Sequence, residues 1–120
     1  MLRHASIAAA AAAAKLAEDT IVLDVGEILG ITDLFVITSG RNVRQVRTVV
    51  EEVEKALKER TGLKPIGVEG LTDASWVLLD YGPFVVHVFL EETREHYALD
   101  RLWADAPRLD WESAVPTTVP

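Results

Sequence analysis

The chain has 120 residues, 49% of them hydrophobic and 26% charged, a length and composition that fit one folded domain and exclude a disordered tract. It has no cysteine, which rules out a disulfide scaffold, a thiolate metal site and a cysteine nucleophile, and accords with a reducing compartment. Of the net charge of −7, none comes from residues 1–68, where nine acids and nine bases cancel; residues 69–120 carry ten acids against Arg94, Arg101 and Arg108. Such a field repels nucleic-acid phosphates and draws in basic partners, although solubility alone would also account for it.

The start, Met1-Leu-Arg-His4 ahead of Ala8 to Ala14, faintly resembles a targeting signal, but alanine is too weakly apolar for one and Lys15 interrupts the run. Alanine is the best helix former, so a first helix is expected over residues 3–18. Nowhere are there the roughly 18 strongly apolar residues of a membrane span, and a cytoplasmic location is expected. Thr20-Ile-Val-Leu-Asp-Val25 reads as a strand, Gly26 and Gly30 as a turn, and Thr32 to Thr38 as a second strand whose continuous apolar run implies cover on both faces. Asn42 can cap a helix running to about Arg60 and ending at Gly62, with Val43, Val46, Val50, Val53 and Leu57 as its buried stripe. A short strand follows at Pro65–Glu69. Trp76–Asp80 and Val85–Leu90, joined through Gly82-Pro83, form a β-hairpin. Glu91 to about Ala104 is a last helix, acidic in its first turn and stopped by Pro107. Residues 107–120 lack periodicity and read as a mobile tail. The order is αββαβββα, an α/β (α+β) single domain with a mixed sheet over residues 1–106.

Four constellations bear on chemistry. A nucleophilic triad would join Ser39, His87 and Asp80, but the Gly-x-Ser-x-Gly elbow is missing, and Ser39 is better placed to satisfy backbone groups at a helix start. A metal site would recruit His4, His87 and His96; no two histidines stand four apart, and Glu92 with His96 reads as a surface pair, so no metal or other cofactor is expected. Gly26, Gly30 and Gly40 make neither a P-loop nor a dinucleotide fingerprint. Arg41, Arg44 and Arg47 form a basic ridge at a helix start, against the helix dipole, offset by Glu51, Glu52 and Glu54 or else available to an acid or a phosphate.

The hairpin carries more information. Strand alternation puts Trp76, Leu78 and Asp80 on one face of the first strand, and Val85, His87 and Phe89 on one face of the second. A two-residue turn sets Asp80 opposite Val85 and Leu78 opposite His87, uniting all six, whereas a three-residue turn separates them. United and open, they make an aromatic patch rimmed by carboxylates, the usual makeup of a protein interface; under a helix they are core.

Specific strings then accumulate in order: Asp33-Leu-Phe-Val-Ile with Ser39-Gly40, Arg44-Gln-Val46, Glu69-Gly70, Trp76-Val-Leu-Leu-Asp80 with Gly82, Val86-His-Val88, Arg94-x-x-Tyr97-x-Leu99, and Leu102-Trp103. Over about residues 5–106 the chain closely resembles the ribosomal silencing factor, or Iojap-related, family, with Pro83 and Asp100 as departures. The resemblance implies a nucleotidyltransferase-like fold without catalytic residues, and no enzyme activity. It implies binding to protein fourteen of the large ribosomal subunit, obstruction of subunit joining, lowered translation under nutrient limitation and a link to large-subunit maturation. It also implies homodimers for some members when free. By resemblance and position, Trp76, Leu78, Asp80, Tyr81, His87, Arg94 and Tyr97 are the expected contact residues, with Asp33 and Glu69 structural or at the rim. The competing readings are a degenerate nucleotidyltransferase or hydrolase using Asp80, His87 and Glu69, and RNA binding through Arg41, Arg44 and Arg47, which the net charge disfavours.

Overall fold

A computed structural model of the chain describes residues 2–115. The alanine-rich segment forms α1 (Leu2–Ala14). Its small side chains let it pack closely on both the sheet and the helix α3 (Val43–Thr61). That helix begins as its sequence dictates: Asn42 Oδ1 accepts from Gln45 N at 2.8 Å, and Gly62, at φ 76°, closes the other end. Gln45 also donates through Nε2 to Lys15 O and Leu16 O, tying the end of α1 to the start of α3.

Five strands make one sheet in the order β1-β2-β5-β4-β3. They are β1 (Glu18–Asp24), β2 (Leu34–Gly40), β3 (Gly67–Glu69), β4 (Trp76–Asp80) and β5 (Phe84–Leu90). Only the β2–β5 pair is parallel, so the sheet is mixed as expected. The apolar run of β2 is buried along its whole length, between two strands and with both faces covered. The short α2 (Gly26–Leu29) occupies the expected turn.

Alternation divides the sheet into two faces. One presents Val22, Leu34, Val36, Val77, Leu79, Phe84, Val86 and Val88 to α1 and α3. The other presents Leu23, Phe35, Ile37 and Phe89, over which Leu99, Trp103 and Ala106 pack. This second layer departs from the single helix expected over 91–104. Ala98 sits in the left-handed region, at φ 50° and ψ 47°, and splits the segment into α4 (Glu91–Tyr97) and α5 (Leu99–Leu102). The bend lets Leu99 reach the sheet and Asp100 meet Arg94.

The segment expected as a mobile tail is docked over residues 107–115. Pro107 O accepts from Asp24 N, Leu109 N donates to Val22 O, and Trp111 Nε1 donates to Thr20 O at 3.1 Å. Leu109 and Trp111 pack on the main core, and α6 (Trp111–Ala114), capped by Asp110, lies against α1. The unpaired edge of β1 supplies the partners that a reading of periodicity alone did not see. The rest of that tail, 116–120, lies outside the described residues.

Candidate functional site

The hairpin adopts the two-residue turn. Tyr81 N donates to Phe84 O at 3.0 Å, so Asp80 stands opposite Val85, Leu78 opposite His87 and Trp76 opposite Phe89. All six side chains therefore share the second face. The α4–α5 layer packs over β1, β2 and the end of β5, while along β4 and the start of β5 the residues Trp76, Leu78, Asp80 and Val85 stay half-buried. One sheet face is thus half roofed and half open, and the open half carries the aromatics.

Trp76 is the hub. Its ring stacks on Phe89 at 4.8 Å and 28°, and lies 4.9 Å from the ring of Tyr97, which is 53% exposed at the end of α4. Its Nε1 donates to His87 Nδ1 at 3.1 Å. That bond fixes the His87 tautomer: Nδ1 accepts, so Nε2 carries the proton. The imidazole meets Phe35 edge-on at 4.5 Å, and burial lowers its pKa from 6.5 to about 4, so it is neutral at neutral pH. Its buried Nε2 finds no partner among the described residues. The loop before β4 sets the position of Trp76 through Gly70, whose φ is 87° and where a Cβ would lie 2.0 Å from Trp76 O. Arg47 holds the same loop from α3, donating to Thr72 O at 2.9 Å and Leu71 O at 3.4 Å.

Asp80 lies at the far end of β4, its Oδ1 accepting from Gly82 N at 2.8 Å. Glu69 is exposed on the neighbouring β3, and Asp33 is exposed beside the turn, its backbone bonded to Val25 and Pro83.

Two expected contact residues lie elsewhere. Tyr81 falls on the opposite face, buried and stacked on Phe84 at 4.9 Å; burial and the Glu54 charge push its pKa up to about 12. Arg94 is buried behind the face. Its guanidinium makes a bidentate contact with Asp100 (3.2 and 2.9 Å) and donates to Glu18 O and Ser39 Oγ. The hydrogen bonds from Arg94 hold the Asp100 carboxyl below the usual carboxylate range, against the opposing effect of its burial. Both residues lost their assignment for one reason: sequence order shows neither which face a turn residue takes nor how deep a helix sinks.

The nucleophilic triad is not assembled, whereas Asp80, His87 and Glu69, the residues of the other enzymatic reading, do line one groove, with the acceptor nitrogen of His87 already engaged by Trp76. Ser39 Oγ is engaged with Glu18 O and Arg94, His87 Nδ1 with Trp76, and Asp80 with Gly82. Among the described residues, no three metal-ligating side chains gather, and no helix is long and apolar enough to cross a membrane. The arginine ridge is drawn apart as well: Arg41 Nε pairs with Glu18 at 2.7 Å and Arg47 clasps the loop described above. Sequence reading overlooked Ile31 and Ile66, which line a groove beside Leu78 and Asp80 and are 83% and 75% exposed. The available signal was an isoleucine at each of two loop positions, where solvent normally selects polar residues.

Comparison with known proteins places the chain in a family. The family model described as "Ribosomal silencing factor during starvation" matches residues 1–119. The chain is 41% identical over 104 residues to the ribosomal silencing factor RsfS of Bacillus subtilis strain 168, covering 87% of each protein. A mouse relative named mitochondrial assembly of ribosomal large subunit protein 1 is 36% identical over 89 residues, 72% of this chain and 39% of that protein. A crystal structure of a Chromobacterium violaceum protein superposes with a TM-score of 0.80 at 32% identity, covering 84% of this chain and 83% of that one. The chain belongs to the ribosomal silencing factor family, regulatory proteins of the ribosome during starvation.

Proposed function

We propose that the chain binds the large ribosomal subunit through the open half of its second sheet face and, bound there, obstructs joining of the small subunit. The observation that carries this reading is the unroofed stretch of β4 and β5. Trp76, Leu78 and Val85 remain half-buried there, Tyr97 is exposed at its edge, and Asp80 and Glu69 flank it. Aromatic anchors within a polar rim are what a protein interface is built from. Steric obstruction needs only a footprint, about 800 Å² on each partner, and no chemical turnover. The partner contacted is a basic interface protein of the large subunit, number fourteen, drawn in by the acidic second half of the chain. Membership of the family supports the silencing role, and the name of the mouse relative supports a part in large-subunit assembly. The contact residues are then Trp76, Leu78, Asp80 and Tyr97, with His87 holding Trp76 from beneath, Tyr81 and Arg94 holding the scaffold, and the setting cytoplasmic.

Sedimentation with purified ribosomal subunits tests this. The chain is expected to travel with the large subunit and not the small one, and to lower the yield of joined ribosomes when added before mixing. Equal binding to both subunits, or undiminished joining at saturation, would refute it. Replacing Trp76 and Tyr97 together by alanine is expected to weaken binding at least tenfold, since anchors of this kind are worth about 2 kcal/mol or more each.

A further inference from the structure

Beyond Trp76 the same face descends into a groove of about 390 Å³ bounded by the loop before β2 and the start of β3. Its apolar walls are Ile31, Ile66, Leu78 and Val85. Two isoleucines exposed to 83% and 75% in one groove form a surface that a partner, rather than water, is suited to cover. The charged residues of the groove are Asp80 and Glu69, and nothing basic lines it. Other grooves mix both signs, arginines with acids in one and lysines with Glu54 and Glu59 in another. Among the described residues neither Asp80 nor Glu69 forms an ion pair, although Gly82 N holds the Asp80 carboxylate in place. His87 also lines the groove, is 4% exposed, and keeps a protonated Nε2 with no acceptor among the described residues.

Building on the reading that this face meets the large subunit, we propose that the groove receives one lysine or arginine side chain of the partner. The aliphatic stem lies along Ile31, Ile66 and Leu78, and the cation reaches Asp80 and Glu69. Long basic side chains bury their methylenes in this way while keeping the charge paired. Charge decides the occupant: an apolar side chain would strip water from Asp80 and leave it unpaired, and an acid or phosphate would be repelled by both carboxylates.

The test compares wild type, Asp80→Asn/Glu69→Gln and Trp76→Ala for binding to purified large subunits over a range of salt concentrations. The amide at position 80 keeps an oxygen for the Gly82 N–H, and the exposed Glu69→Gln alone serves as a variant that leaves the fold untouched. The double variant is expected to bind about tenfold more weakly with a flatter salt dependence, and Glu69→Gln to shift both in the same direction. Unchanged or tighter binding by the double variant, with Trp76→Ala still defective, overturns the groove assignment and leaves the binding face standing. Failure of the wild type itself to bind large subunits overturns both.

Discussion

At the scale of single residues, His87 joins packing to titration. Its imidazole lies among Phe35, Trp76 and Phe89, neutral because burial lowers its pKa from 6.5 to about 4. In the unfolded chain the same group takes up a proton near pH 6.5, so between pH 6.5 and 4 the unfolded state binds more protons than the folded one. Stability therefore falls as pH drops through that window, by up to about 3 kcal/mol, and levels off below it. Denaturant titrations at a series of pH values are expected to show this loss in the wild type and its absence in His87→Phe. A loss of equal size in His87→Phe would assign it to other groups. Arg94 provides a second residue-scale expectation. Arg94→Ala leaves Asp100 and Ser39 Oγ without the guanidinium donor, while the Glu18 carbonyl keeps the Ser39 hydroxyl, which should cost about 3 kcal/mol and lower the melting temperature. Arg94→Lys should recover little of that, because one ammonium cannot reproduce the fork toward Asp100.

At the scale of elements, the strands and the long α3 were legible because their signals are local: β-branched runs, a valine stripe, Asn42 and Gly62 as caps. The united hairpin face depended on one turn, and residue types around Gly82-Pro83 fit either length; only the Tyr81–Phe84 hydrogen bond decides it. The last helix and the tail were misjudged for a different reason. Ala98 adopts a left-handed conformation that alanine alone disfavours, imposed by Leu99 seating in the second core and Asp100 meeting Arg94. Residues 107–111 look structureless until the edge of β1 is placed beside them. Both depend on contacts distant in sequence. The docked segment has a direct consequence: a chain ending at residue 106 bares the β1 edge and loses Leu109 and Trp111 from the core. Such a truncation should melt lower and self-associate at high concentration, measured by calorimetry and light scattering. At the loop between β3 and β4, Gly70→Ala forces the backbone away from Trp76 O, and is expected to weaken ribosome binding more than it lowers the melting temperature.

At the scale of the whole molecule, asymmetry of charge and asymmetry of packing coincide. The acidic excess lies in residues 69–120, the half that contains β4, β5 and α4. Helices α1 and α3 close one sheet face except at the edge strand β3, where Val68 is exposed, while α4 and α5 close only part of the other. On the proposed mode of binding, long-range attraction speeds the encounter with a basic surface, and the aromatics of the open half hold the complex once formed. Raising salt should therefore slow association strongly and change dissociation little, a difference that stopped-flow kinetics resolves. The open half-face, and no other surface, is expected to meet the large subunit. The most direct measurement is a cryo-electron microscopy reconstruction of the chain bound to that subunit. The expected result places Trp76, Leu78, Asp80 and Tyr97 against a basic protein at the subunit interface; contact through α1 and α3, with the open half-face in solvent, would contradict it.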